Sequence, residues 1–258
     1  MGIPGGRRGG SPGGPLAVRK KRPNLSLSTQ GTFLYPAGVD LYEGENYRQR
    51  EGYEVRYLKD DEFPRYQFTI AASMHRAGAL FRRLLALMGD PLCAILEVPA
   101  ADEAGPMEPT EPPDEWEEEP EGPEEPRGEP LEPGLERCDI WMSPELPARR
   151  ILRAFTRYEQ LFLHDGMIGF GALSPVTSVE LVLDDDKLFH FYTADLEKPE
   201  EVLSHFGIPA VDVLRHFSDL THAHHALVSY GLGEDYRVAF EELCEDLDMT
   251  RQTSRPYS

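Results

Sequence analysis

Apolar positions along the chain fall into short runs whose spacing switches between two and about 3.6 residues, the signature of alternating strands and helices. A β-like stretch over 66–72 is followed by an amphipathic pattern over 76–88. There Leu80, Phe81, Leu84, Leu85, Leu87 and Met88 share one face and Arg76, Arg82 and Arg83 the other. Gly89, Asp90 and Pro91 stop that helix, and an apolar strand is expected over 92–98. The same order recurs as a strand over 138–142, a helix over 146–163 and a glycine-rich strand over 166–173, which suggests two related strand-helix-strand units. Runs at 179–183 and 188–192 form a hairpin around Asp184, Asp185, Asp186 and Lys187. Helices are expected over 199–206 and 209–230, separated by the Gly207-Ile208-Pro209 break, and again over 235–247. Between 31 and 65 aromatic residues mix with charges, and one strand is expected near 53–58.

These elements make an α+β protein, with a mixed sheet of about six strands covered by helices and interrupted by a disordered acidic Pro/Glu-rich linker. The chain divides into a disordered basic Gly/Pro-rich tail at 1–30, a first part of the core at 31–98, the linker at 99–137, a second part of the core at 138–249, and a frayed tail at 250–258. The linker leaves the core through neighbouring strand ends, so both parts are expected to belong to one domain.

Charge changes this picture, because the formal net charge of -20 is unevenly spread. The 101–137 stretch is dominated by glutamate and aspartate, whereas 1–22 carries Arg19, Lys20, Lys21 and Arg22 and no acid. A core that is still acidic disfavours general nucleic-acid binding, which needs a concentrated positive surface. Cys93, Cys138 and Cys244 are widely separated and form no Cys-x-x-Cys pair, the usage of reduced thiols. No run approaches the roughly 18 apolar residues of a membrane span, and the first fifteen residues lack a signal-peptide core. A cytoplasmic location without membrane attachment is therefore expected.

No stretch matches a catalytic or cofactor motif specific enough to name a reaction, and no cofactor is predicted on that ground. The histidines carry the main chemical signal. On the expected 209–230 helix, Asp219, His222 and His225 fall on one side at successive i+3 spacings, a partial site for a divalent metal that His190 or His164 could complete. His224 projects into the apolar face and reads as a core histidine. Asp184, Asp185 and Asp186 could bind a cation weakly, but three acids at a hairpin tip suit a turn. Arg149, Arg150, Arg153 and Arg157 line the outer face of the expected 146–163 helix, where arginine forks suit carboxylates or phosphates. Trp116, a lone large aromatic among acids, is a docking residue for a partner in the same reading.

The leading functional expectation is a non-enzymatic interaction or regulatory protein that binds a protein partner through its charged disordered segments and the arginine-lined helix. The first alternative is a metal-dependent hydrolase using the histidine and aspartate cluster. The second is a nucleic-acid-associated regulator acting through Arg19 to Arg22 and the arginine stripe.

Overall fold

The computed structural model describes residues 33–41, 47–59, 64–99, 137–230, 236–252 and 255–256. The basic cluster at 19–22 and Trp116 lie outside the described residues, as does the acidic segment from 100 to 136. Among the described residues eleven strands and five α-helices follow in chain order. The strands are β1 Val39–Leu41, β2 Gly52–Leu58, β3 Arg65–Ala71, β4 Cys93–Pro99, β5 Arg137–Met142, β6 Gly169–Leu173, β7 Glu180–Leu183, β8 Leu188–Thr193, β9 His222–His224, β10 Thr250–Arg251 and β11 Arg255–Pro256. The helices are α1 Met74–Met88, α2 Ala148–Arg157, α3 Glu159–His164, α4 Glu197–Phe206 and α5 Tyr236–Leu247.

The protein is α+β. Among the described residues its main sheet has nine strands in the order β10-β5-β4-β6-β7-β8-β3-β2, with β11 also on β5, and every paired strand is antiparallel to its neighbour. The sheet is larger than the six strands expected, because β2, expected near 53–58, joins it beside β3, and Thr250–Arg251 and Arg255–Pro256, where a frayed tail is expected, pair with β5. Strands from before and after the acidic segment share this one sheet. Pro99 lies opposite Cys138, so the acidic segment joins the two ends of a β4/β5 hairpin.

Alternation along the strands decides the two faces. Phe68 and Ile70 of β3, Leu96 of β4, Phe170 of β6, Leu181 and Leu183 of β7, and Phe189 and Phe191 of β8 are buried on one face, under the helices. The amphipathic face expected for α1 is the buried one: Leu80, Phe81, Leu84, Leu85 and Met88 are almost inaccessible. Phe81 stacks on Phe155 of α2 at a centroid distance of 4.0 Å, and Phe162 of α3 stacks on Phe170 at 4.1 Å, joining helices to sheet through one aromatic column. Arg82 reinforces the α1/α3 crossing with a two-pronged ion pair to Glu159 at 2.9 and 2.6 Å. The helix expected over 146–163 is two helices, broken at Tyr158, whose φ of -111° and ψ of 23° leave the helical region.

The largest departure from expectation is 209–230, which is extended with short 3-10 turns at Phe217–Asp219 and Leu227–Tyr230 rather than one long helix. Partners elsewhere in the chain take the backbone groups that a helix would bond internally. Tyr53 N–H donates to the Pro209 carbonyl at 3.0 Å, and Val211 N–H to the Tyr53 carbonyl at 2.9 Å. Leu214 N–H donates to Glu54 at 2.9 Å and Phe217 N–H to the buried Gln49 at 3.0 Å. Of the apolar face that a helix would present, Phe217 and Leu227 are buried but Val213 and Val228 are exposed. Tertiary hydrogen bonding overrides the local periodicity here. Among the described residues no helix is long and apolar enough to cross a membrane.

Candidate metal centre

The face of the sheet turned away from the helices is polar at its centre, carrying Gln67, Thr69, Glu97, Glu180, His190 and Tyr192. Beside it, the β7/β8 turn presents three consecutive acids. The turn closes with Asp184 N–H donating to the Leu188 carbonyl and Lys187 N–H to the Asp184 carbonyl, both at 3.1 Å. Lys187 adopts a left-handed φ of 62°, unusual for a long side chain. Its ammonium group is buried beneath the turn and donates to the carbonyls of Ile168 and Asp184, which fixes the loop from inside. Burial pulls that ammonium below the ordinary lysine range, against the opposing charges of Asp185, Asp165, Asp184 and Asp186.

Strand β9 brings histidines to this turn. It pairs with β1 in the register Val39↔His224, Asp40↔Ala223 and Leu41↔His222. In an extended strand residues i and i+2 share a side, so His222 and His224 point together while Ala223 and His225 point away. Glycine makes the pairing possible. A Cβ on Gly166 would lie 2.2 Å from the Gly38 carbonyl oxygen, and one on Gly38 would lie 2.3 Å from Gly166 N. In that space Gly38 N–H donates to the His164 carbonyl at 2.6 Å, His225 N–H to the Gly38 carbonyl at 2.7 Å, and Gly166 N–H to the His225 carbonyl at 3.1 Å. The fully buried Asp165 completes the join by accepting from Leu227 N–H at 2.7 Å and Met167 N–H at 2.9 Å.

Three ligand-type atoms meet as a result. His222 Nε2 and His224 Nε2 are 2.9 Å apart, and Asp186 Oδ1 is 3.0 Å from the first and 3.2 Å from the second. His222 Nδ1 donates to the Leu220 carbonyl at 2.7 Å, and His224 Nδ1 to the Gly166 carbonyl at 2.6 Å. A carbonyl oxygen only accepts, so each neutral ring carries its proton on Nδ1 and leaves Nε2 a bare lone pair. Asp186 Oδ1 is sealed from solvent. Three acceptors this close repel one another unless a cation sits among them, either a proton or a metal ion. Among the described residues this is the one group of three His, Cys, Asp or Glu donors gathered tightly enough to share an ion. Backbone carbonyls that orient both imidazoles are the outer support such ligands require.

Charges around the triangle follow the same logic. Burial works against a protonated His224, yet the hydrogen bond to Asp186 and the charge of Asp185 carry it up to about 9. Burial likewise opposes an ionised Asp186, but the His224 hydrogen bond and the charges of His224 and His222 hold it below the ordinary aspartate range. Burial and then the Asp184 carboxylate push Asp185 up. Burial takes nearby His216 down to about 4, leaving a neutral imidazole that accepts from Ser218 N–H at 3.3 Å. Further along the polar face, His190 Nε2 meets Asp184 Oδ2 at 2.8 Å, while His190 Nδ1 is buried without a partner. Glu97 lies across Gly169, where a Cβ would come within 2.7 Å of its Oε2. Burial, then the charges of Asp184 and Asp185, raise its carboxyl to about 7.

The residues singled out by sequence are partly dispersed. His222 is in the triangle, but its partners are Asp186 and His224. Asp219 instead caps the 3-10 turn, accepting from His216 N–H at 3.0 Å, and His225 faces Asp40 at 3.6 Å on the other side of β9. His164 accepts from Ala37 N–H through Nδ1 at 3.4 Å, away from the triangle. Two of the four stripe arginines are engaged by α5 and the residue that follows it: Arg157 pairs with Glu242 at 2.7 Å and Asp246 at 3.0 Å, and Arg150 with Asp248 at 3.3 Å. Arg149 and Arg153 are exposed. The alternation His222-Ala223-His224 was the available signal for the pair, legible only once that segment is taken as a strand. Comparison with known proteins finds no matching family model, no matching curated protein and no matching solved structure.

Proposed function

We propose that this protein is a metal-dependent enzyme of hydrolytic type, in which Asp186, His222 and His224 hold one divalent ion that activates water. The observation that carries the reading is the convergence of two imidazole Nε2 atoms and a solvent-shielded carboxylate oxygen with edges of 2.9, 3.0 and 3.2 Å. The side chains keep 17%, 19% and 24% of their surface for His222, His224 and Asp186. Three ligands with open positions characterise catalytic sites, whereas structural zinc sites are closed by four. A bound ion lowers the pKa of its water and supplies hydroxide near neutral pH. Glu97, titrating near 7 on the adjacent polar face, suits the accepting and returning of a proton.

Metal analysis of full-length protein prepared without a histidine tag tests this reading. About one equivalent of a transition metal per chain is expected. It should be lost in Asp186→Ala and His224→Ala and kept in Asp219→Ala and His225→Ala. Absence of stoichiometric metal, together with no rise in unfolding temperature when manganese, iron(II), cobalt or zinc is added, would refute it. Hydrolysis of p-nitrophenyl esters and phosphates by the loaded protein then tests the reaction type.

The exposure of Arg149 and Arg153 supports a second reading, a protein interaction made through this part of α2. Undiminished capture of the same partner by an Arg149→Ala/Arg153→Ala variant lacking residues 101–137 would count against it.

A further inference from the structure

The dimensions of the triangle bear on the coordination geometry of the ion, and this step rests on the metal-centre reading above. With metal-ligand bonds of about 2.1 Å, adjacent donors of an octahedron stand about 3.0 Å apart, while those of a tetrahedron stand about 3.4 Å apart. The edges here are 2.9, 3.0 and 3.2 Å, two at the octahedral value and the third midway between the two geometries. We propose that Asp186, His222 and His224 cap one triangular face of a six-coordinate manganese, iron or cobalt ion, leaving three mutually adjacent positions for oxygen donors.

The surroundings resist expansion towards the tetrahedral spacing. His222 and His224 sit two residues apart on one short strand, so their separation is limited by the backbone rather than by flexible loops. The outer nitrogen of each ring is tied to a carbonyl, that of Leu220 or Gly166. The Gly166 carbonyl belongs to the close join with Gly38, where a Cβ would have no room. Asp186 is held by the turn that the buried Lys187 anchors. Moving any one donor outward by a few tenths of an ångström therefore disturbs one of these anchors. The donor set agrees, since two histidines and one carboxylate on a single face with the rest open is the arrangement associated with six-coordinate non-haem iron. Asp185 Oδ2, 3.8 Å from His224 Nδ1, supplies a further negative charge in the outer shell.

Affinity alone is a poor test, because zinc outcompetes iron and manganese at most nitrogen and oxygen sites regardless of geometry. The visible spectrum of cobalt(II) reports the geometry directly. Full-length protein stripped of metal by a chelator is titrated with cobalt(II), and binding is followed separately by calorimetry. One equivalent bound with a band at least about tenfold weaker than tetrahedral cobalt gives is the expected result. The weak band should disappear from the protein fraction in His224→Ala. Should that variant fail to fold, judged by circular dichroism, the wild-type spectrum still decides. Stoichiometric binding with the intense tetrahedral band overturns six-coordination and leaves the metal centre standing. Failure to bind cobalt, manganese or zinc at all overturns the metal centre and this inference with it.

Discussion

Replacing Glu97 by glutamine should stabilise the metal-free protein at neutral and alkaline pH and leave it unchanged in acid. The native structure raises this carboxyl from the ordinary 4.5 to about 7, through burial first and then the charges of Asp184 and Asp185. Between those two values the native state holds a proton that the unfolded chain has released. Stability from this group is therefore complete below 4.5, declines as pH rises towards 7, and is lost above it. A difference of about 2.5 units corresponds to about 3 kcal/mol, an upper value because some relaxation around an ionised Glu97 is expected. Glutamine keeps the shape of the protonated acid and never acquires the charge. With a urea dependence of about 2 kcal/mol per molar, the midpoint at pH 8 should rise by roughly 1 M over wild type. Urea unfolding followed by circular dichroism from pH 4.5 to 8.5 measures this. Equal midpoints at pH 8, or a gain just as large at pH 4.5, would show that Glu97 is not held in the strained acidic setting inferred for it.

Three further outcomes are open to measurement. His224 is raised to about 9, so its contribution to metal-free stability is complete below 6.5 and disappears as pH rises through 9, while a metal ion must displace its proton. Cobalt affinity should accordingly climb about tenfold per pH unit between 6.5 and 8.5 in calorimetric titrations, and a flat profile would contradict the displacement of a His224 proton. Gly166→Ala places a methyl group 2.2 Å from the Gly38 carbonyl oxygen and should cost about 3 kcal/mol in unfolding free energy along with cobalt binding; an unchanged midpoint would show that β1 is not pinned there. Phe81→Ala, which removes a ring stacked at 4.0 Å in the core, should cost about 3–5 kcal/mol, whereas Arg157→Ala, with a side chain 54% exposed, should cost under about 1 kcal/mol in the same assay.

What could be read from the sequence separates along physical lines. The amphipathic α1, the β7/β8 hairpin and the Gly207 stop after α4 are visible because the signal is local: a face of leucines, a polar turn between apolar runs, a glycine in the left-handed region with φ of 67°. Placement of the acidic segment between neighbouring strand ends follows from the same local reading. The 209–230 stretch fails for the converse reason. Its periodicity fits a helix, but its backbone partners are Tyr53, Gln49, Gly38 and Asp165, all distant in sequence. The site inherits that error. With helical spacing His222 is matched to Asp219 and His225; with strand spacing it is matched to His224, and only the fold can add Asp186. The arginine stripe shows the same limit, since its partner Glu242 lies 85 residues away along the chain.

The covering of β5 by β10 and β11 has a consequence in time. One side of β5 pairs with β4 and the other with these two short strands, and the latter are encoded roughly a hundred residues later. At a synthesis rate of about 5–20 residues per second, the outer edge of β5 waits about 5–20 s for its partners. During that interval its unpaired N–H and C=O groups form a template on which another nascent chain can add a strand. Crowding on a polysome is thus the condition under which this protein is most exposed to pairing with copies of itself, and slowing translation after α5 lengthens the hazard.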